Sequence, residues 1–282
     1  MEDTMNLWEE KSDSDCENNR FIDPNEIRVS ITDPAPIVIL FGPSGCGKTM
    51  SLVRLTRWLQ DNHYTVEPDV CFLPSDDDIY RELCNDFENV VHSGKAAPMT
   101  SPMLFKVRNR YGEPICQILD PSGDHCFDKV FPFSPFPLYM EQVMHIRNKK
   151  IWIFCAETNW EDAVCRDLYA EKIFNMYGRV ASSDKVIFVC SKADKSHHLL
   201  DNVGKPYVAQ FFRTIKDQYP GIFSKYENRN PITKLWRKYI FDFIVFSAGA
   251  FYDTQDGNTY YQQGSDSYPA NLWKSIMKAV RK

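Results

Sequence analysis

The stretch Gly42-Pro43-Ser44-Gly45-Cys46-Gly47-Lys48-Thr49 follows an apolar run, Pro36–Phe41, and precedes a segment, Met50–Asn62, that sets Leu52, Leu55, Trp58 and Leu59 on one helical face. It fits the pattern G-x-x-x-x-G-K-[ST] in its required context, a strand before and a helix after. Glycines let successive backbone N–H groups turn inward as an anion nest. The helix that follows adds the positive end of its dipole. In this arrangement Gly42, Ser44, Gly45, Cys46 and Gly47 wrap phosphate, Lys48 reaches the β- and γ-phosphates, and the Thr49 hydroxyl ligates Mg²⁺.

Outward from this motif, four further apolar runs have the same character: Pro114–Leu119, Lys150–Cys155, Lys185–Cys190 and Phe241–Phe246. They are rich in Ile, Val and Phe and too short for helices, and their continuous apolarity predicts strands buried on both faces, as in a parallel sheet. Helical spacing recurs over Pro137–Asn148, Glu161–Tyr177, Tyr207–Gln218 and Ala270–Val280. The alternation predicts an α/β fold of the P-loop NTPase kind, a doubly wound and mostly parallel sheet with helices on both faces. Met103–Arg108 and Pro114–Leu119 are separated only by the turn-prone 109–113. No crossover helix fits there, so one antiparallel strand is expected. Residues 31–282 read as one domain, with a helical insertion at about 63–99 in which Ile79, Leu83, Phe87 and Val90 recur at helical spacing.

Residues 1–30 read as an acidic tail. Within residues 1–20, Glu2, Asp3, Glu9, Glu10, Asp13, Asp15 and Glu17 face only Lys11 and Arg20, so those twenty residues alone account for the formal net charge of −5. The rest of the chain is formally neutral and shows no basic stripe, which argues against nucleic acid as a partner. No apolar run approaches the roughly 20 residues of a membrane helix, and the acidic start is unlike a signal peptide, so no membrane partner is expected. The cysteines number nine, an odd count without a C-x-x-C pair, and Cys116, Cys155 and Cys190 lie in apolar runs. That is a reduced pattern and predicts a cytoplasmic protein.

The phosphate motif alone does not choose between ATP and GTP; its wording is shared with ABC-type and AAA-type ATPases and guanylate-kinase-like enzymes. Three further matches bear on the base. Asp120-Pro121-Ser122-Gly123 resembles D-x-x-G, Ser191-Lys192-Ala193-Asp194 resembles [NT]-K-x-D in its Ser/Thr variant, and Ser247-Ala248-Gly249 resembles S-A-[KG]. Each follows a predicted strand, at the edge where open α/β sheets bind ligands. In this order they resemble the Ras-like (TRAFAC-type) P-loop GTPase superfamily over about residues 35–282.

That resemblance implies GTP/GDP and Mg²⁺ as cofactors, and a switch protein that hydrolyses GTP slowly. It implies that Asp120 holds Mg²⁺ through water and that the Gly123 N–H senses the γ-phosphate. Asp194 would pair with guanine N1–H and the 2-amino group, Lys192 would lie across base and ribose, and Ser191, Ser247 and Ala248 would complete the base site. Thr100, about twenty residues before Asp120, takes the switch role toward the γ-phosphate and Mg²⁺, with Ser101 as the fallback. Alternatives stay open: a pseudo-GTPase scaffold that binds nucleotide without turnover, or an ATP-dependent P-loop enzyme.

Two departures qualify the resemblance. The interval from Thr49 to Thr100 is longer than a minimal Ras-like domain needs. Where many members carry a water-orienting Gln, this chain has Asp124, followed by His125; a carboxylate there opposes the γ-phosphate, so a protein partner or dimer mate acting through the switch regions is expected to assist hydrolysis. Asp-Pro-Ser-Gly-Asp is also similar to the D-P-A-G-E of bacterial GTPase-like families linked to conflict systems. The run 131–137 reads as a partner-facing patch or a buried one, Tyr252–Tyr268 as a surface loop, and Cys46 as a packed thiol or one open to oxidation.

Overall fold

In the computed structural model, residues 23–73, 77–93, 101–128, 130–253 and 259–281 are described; the expectations placed on residues 1–22 and on Thr100 lie outside them. Strand β1 (Ile37–Phe41) is buried at every position. It pairs in parallel with β4 (Pro114–Asp120) on one side and β5 (Lys150–Glu157) on the other. Strands β6 (Lys185–Ser191) and β7 (Asp242–Val245) extend the sheet beyond β5, again in parallel. On the opposite side β3 (Met103–Arg108) runs antiparallel to β4, with Asn109 and Glu113 closing the turn between them. With β2 (Thr65–Pro68) at the edge beyond β3, the resulting seven-stranded order is β2-β3-β4-β1-β5-β6-β7, an α/β fold of the P-loop NTPase kind.

Register sorts the side chains into two layers. Phe41, Phe154, Phe188 and Phe243 align across neighbouring strands. Their face packs on α5 (Ala163–Met176), whose Tyr169 ring stacks 6.3 Å from Phe41, and on α6 (Val208–Gln218), whose Phe212 meets Phe243 at 5.1 Å. The other face carries α1 (Lys48–Asp61) and α8 (Ser267–Arg281), which pack on each other. Ser275 of α8 donates to Asp242 of β7 at 3.0 Å, on the opposite side of that strand from Phe243. Burying bulky rings in close-packed layers on both faces is what makes the strands read as unbroken apolar runs.

Three stretches differ from the sequence expectation. The 63–99 insertion supplies a helix, α2 (Asp77–Ser93), but also an edge strand, β2 (Thr65–Pro68), paired antiparallel with β3. Only Val66 of β2 is buried, and Pro68 ends it, as suits an edge where one face of the backbone needs no partner. Helix α2 is anchored by Phe87 on Phe105 of β3 at 4.4 Å, and Arg57 of α1 donates to the carbonyls of Val90 and Val91. At the start, Ile27 is buried and the Ser30 N–H donates to the Phe72 carbonyl at 2.9 Å, so the packed body begins ahead of residue 31.

The stretch expected to be a surface loop is instead a hairpin, β8 (Gly249–Asp253) with β9 (Thr259–Gln263). Cross-strand aromatic pairs hold it: Phe251 with Tyr261 at 5.9 Å and Tyr252 with Tyr260 at 6.1 Å. Tyr261 is buried beneath the Arg57 guanidinium, 4.8 Å from the ring centroid. Arg54, almost wholly buried, donates to the Gly264 carbonyl and to Asp266, fixing the passage from hairpin to α8.

Gly249 starts this hairpin at φ 142°, where a Cβ would sit 1.9 Å from the Gln262 carbonyl oxygen. Neither the dihedral nor the space admits a side chain. Gly249→Ala should lower stability by about 1–3 kcal/mol, read as an earlier urea midpoint at unchanged m-value. A wild-type midpoint would mean that the hairpin is free to move away.

Candidate functional site

The C-terminal ends of β1, β4, β5, β6 and β7 converge on the loop 42–49. Gly45 (φ 77°) and Gly47 (φ 90°) hold left-handed backbone conformations that bend this loop around its own N–H groups. Lys48, buried in the first turn of α1, donates from Nζ to the carbonyls of Gly42 (2.9 Å) and Pro43 (3.0 Å), which fixes the ammonium across the loop. Burial works against that charge, but Cys46 and Asp120 nearby more than offset it and raise the lysine pKa.

Asp120 closes β4 directly beside β1. Its Oδ2 accepts from the Thr49 hydroxyl at 2.7 Å. Its Oδ1 is buried and has no hydrogen-bond partner among the described residues. Burial pushes the carboxyl pKa up, while Lys48 and Thr49 pull against that shift. A buried carboxylate oxygen left without a donor, next to a hydroxyl, suits a hard divalent cation such as Mg²⁺.

Gly123 lies so close to the loop that a Cβ would stand 2.5 Å from the Ser44 N and 2.8 Å from the Lys48 Nζ. The two loops touch through backbone, and only glycine permits it. Helix α3 (Gly123–Cys126) then carries Asp124 outward. Asp124 and Asp128, both exposed, line an open cavity of about 430 Å³ together with Ser44 and Gly45. His125 is half-buried, with Nδ1 3.5 Å from the Tyr139 hydroxyl, and burial lowers its pKa against the raising effect of Asp124. No arginine lines this cavity among the described residues.

On the far side of the loop a second cavity, of about 220 Å³, is lined by Gly45, Gly47, Ser191, Lys192, Asp194 and Ala248, with Met50, Ser51, Lys195 and Phe251. The Ser191 hydroxyl donates to the carbonyl of Cys46 (2.7 Å) and lies 3.2 Å from that of Ala156, tying β6 to the phosphate loop and to β5. Lys192 adopts φ 53°, and its Nζ meets Glu157 at 2.7 Å. Its stem passes 3.7 Å from where a Gly47 Cβ would be. The Ser247 hydroxyl donates to Asp194 Oδ1 at 2.5 Å, and the Ala193 N–H donates to the Phe246 carbonyl at 3.1 Å, locking the two loops together.

Every residue assigned to the loop 42–49, to Asp120 and Gly123, and to the groups Ser191/Lys192/Asp194 and Ser247/Ala248 therefore lies around one continuous edge. Thr100 lies outside the described residues, and Ser101 is half-buried just ahead of β3. Sequence reasoning missed Glu157, Asp128 and Phe251. Glu157 had a readable position, since it ends β5 at the same edge. Asp128 and Phe251 reach their cavities through a turn and a hairpin that no period announces.

A sequence model of the AAA domain matches residues 31–120, from ahead of β1 to the end of β4. No curated protein matches the chain. Solved structures similar to it include nucleolar GTP-binding protein 1 of Plasmodium falciparum, at 14% identity and TM-score 0.42, covering 89% of this chain and 90% of that one. Another is a chain of the signal recognition particle receptor SRb-GTP/SRX complex of Chaetomium thermophilum, at 14% identity and TM-score 0.45, covering 88% and 99%. The Ski7 GTPase-like domain of S. cerevisiae, bound to GDP and inorganic phosphate, aligns at 12% identity and TM-score 0.43, covering 88% of this chain and 51% of that one.

Cys46 packs behind the loop with its sulfur against Gly42 and Cys155. A hydrogen bond from the Cys155 thiol, aided by the Lys48 charge and opposed by burial, brings the Cys46 pKa down to about 7. Removing the donor in Cys155→Ala should raise that pKa and cut the thiolate fraction at neutral pH. The check is an ultraviolet titration of thiolate absorbance, with Cys46→Ser as the blank. An unmoved midpoint would assign the shift to Lys48 and the helix terminus instead.

Proposed function

We propose that this chain is a guanine-nucleotide switch protein that binds GTP with Mg²⁺ and hydrolyses it slowly to GDP and phosphate. The observation that carries the reading is Asp194, whose carboxylate is held by Ser247 at the wall of a cavity adjoining the phosphate loop. A carboxylate has acceptor capacity to spare after one hydroxyl bond. Its remaining lone pairs suit the N1–H and 2-amino group of guanine. Adenine offers neither donor in that geometry and would leave a desolvated charge unpaired. Ala248, at the same wall, can offer its N–H to guanine O6, and the Lys192 stem, held by Glu157, flanks the base.

The match to the AAA domain spans only the segment up to Asp120, and the base-recognition residues lie beyond it. It is therefore neutral between adenine and guanine. GTP should outcompete ATP by a wide margin for the unaltered protein, and Asp194→Asn should shift preference toward xanthine nucleotides, whose 2-oxo group accepts from the new amide. Competition binding with labelled GTP is the check, alongside identification of the nucleotide that copurifies. Equal competition by ATP would remove the guanine assignment.

At the triphosphate end, the N–H groups of the loop and Lys48 bind the phosphates, and the Gly123 N–H sits where a γ-phosphate oxygen can be sensed. Thr49 and the partnerless Asp120 oxygen would hold Mg²⁺, which when bound supplies charge neutralisation between the β- and γ-phosphates; Thr100 is proposed as a further ligand. Asp124 and Asp128 put two carboxylates beside the γ-phosphate position with no arginine among the lining residues. That supports slow intrinsic turnover and a cation supplied by a protein partner or a dimer mate. Val130, Phe131 and Phe133, exposed just after the D-x-x-G segment, offer that partner an apolar contact. In this reading the protein works in the cytoplasm, its thiols reduced.

Steady-state GTP turnover of the isolated protein should be on the order of 10⁻⁴ to 10⁻² s⁻¹, as for unassisted members of the superfamily. Phosphate release measures it. Asp124→Ala should change the rate, since the carboxylate faces the attacking water. An unchanged rate would move that role to His125, and turnover above about 1 s⁻¹ would mean a complete site in cis.

A further inference from the structure

The segment 225–240 does something unusual for a water-soluble surface. Ten consecutive residues, 229–238, are exposed, and among them Ile232, Leu235 and Trp236 are 73%, 84% and 90% exposed. Slack chain would explain stray apolar exposure, but this segment is built. Asn230 caps the turn α7 (Pro231–Lys234), accepting from the N–H groups of Ile232 (3.0 Å) and Thr233 (3.3 Å). The helical hydrogen bonding continues to the N–H of Arg237, which donates to Thr233 at 2.8 Å. Asn228 then closes the loop at its base, donating to Thr233 Oγ1 and the Arg237 carbonyl, while Glu227 and Tyr239 form a bridge. Positions 232, 235 and 236 stand at i, i+3 and i+4, so they share one face of this turn. The fold holds a tryptophan, a leucine and an isoleucine out into water.

The charge around this tip is strongly one-sided. Lys225, Arg229, Lys234, Arg237 and Lys238 surround it against a single acid within the segment, Glu227. Lys234 pairs with Glu227 and Arg237 with Asp242. Lys225, Arg229 and Lys238 rest on the rings of Phe174, Tyr177 and Tyr239, and none of the three has a carboxylate partner among the described residues. Lys185 and Lys278 line the adjoining cavity with Thr233 and Arg237. Lys278 pairs with Asp242 in that lining, and the segment itself sets five cations against one acid around its exposed apolar tip.

We propose that this tip docks the protein onto the surface of an anionic phospholipid bilayer, with Ile232, Leu235 and Trp236 entering the headgroup region and the lysines and arginines meeting lipid phosphates. The shape favours a bilayer over a protein groove. The side chains project from a turn exposed along its whole length, and a deformable interface accepts such a tip without a preformed pocket. Tryptophan at the interface, apolar residues below it and cations around it match the depth profile of a membrane surface. The expectation of no membrane partner rested on the lack of a spanning helix, and indeed no helix among the described residues is long and apolar enough to cross; a surface-lying contact needs none.

The tip also lies away from the nucleotide edge. Lys185 and Asp242, which line the adjoining cavity, begin β6 and β7, while Ser191 ends β6 and the loop from Ser247 follows the other end of β7. Along β6 six residue steps, from Lys185 to Ser191, separate the two edges, about 20 Å. The inference does not rest on which nucleotide binds.

Cosedimentation of the full chain with vesicles of phosphatidylcholine, with and without phosphatidylserine, tests it. Binding should require phosphatidylserine and weaken with salt. Trp236→Ser with Leu235→Ser should reduce it about tenfold or more, and Lys238→Ala alone should cost about fivefold, the equivalent of one cation near the surface. Circular dichroism should show both variants folded, since the residues touch solvent. No binding to either vesicle, equal binding to both, or wild-type binding by the double variant would overturn the proposal. So would light scattering that finds a dimer of the wild-type chain lost in the double variant, because a second copy would then be what covers the tip.

Discussion

The hydrogen bond from Thr49 to Asp120 exists because β4 lies directly against β1, and the architecture of the site follows from that adjacency. One strand leads into the phosphate loop and its neighbour delivers a carboxylate to the first turn of the helix after it. The same pairing brings Gly123 against Ser44 closely enough to exclude any side chain. On the other side of β1, the parallel pairing of β5 and β6 delivers Ser191 to the carbonyls of Cys46 and Ala156. The phosphate loop is therefore clamped from both flanks by groups whose positions are set by strand register. A slip of one residue in either pair would turn Asp120 or Ser191 to the opposite face of the sheet.

That clamp also explains the electrostatics. Lys48 and Asp120 are buried together, and each moderates the cost of burying the other. Farther out, Asp124 and Asp128 stand in solvent, where their repulsion is screened by water. The site is buried at its floor and exposed and acidic at its mouth. In the function proposed above, a cation that shields those carboxylates would ease the entry of an anionic nucleotide.

How much of this was readable in the residues depended on what enforced each piece. Strands β1, β4, β5 and β6 were legible because burial on both faces makes each a short, mostly apolar run, with polar residues chiefly at its ends. The antiparallel turn at β3 was legible because 109–113 is too short for anything else. Strand β2 was not, being four residues with one buried side chain and a terminal proline. The β8–β9 hairpin was hidden by its chemistry: tyrosines pair across it and carry polar tips, so the stretch looked like a loop. Within the site, the motif residues were found by spacing. Glu157 and Phe251 were not, because what makes them relevant is the tertiary neighbour each meets, Lys192 and the base cavity. The cationic tip at 225–238 escaped notice because its charges are cancelled in any average over the body.

The two margins of the sheet carry a last consequence. β2 finishes at Pro68, which has no N–H to give, and its Thr65 and Glu67 face solvent. β7 opens with Asp242, whose carboxylate is engaged by Arg237, Ser275 and Lys278, so its start is crowded with bulky charged groups. A foreign strand laid along either margin would meet a missing donor or a surface ion cluster, the devices by which natural sheets resist edge-to-edge growth. Fibre-like stacking of copies is thereby disfavoured at both ends of a sheet whose interior strands are among the most aggregation-prone sequences in the chain. The protection resides in side chains at the rim, and a crowded cell can tolerate that exposed rim because of it.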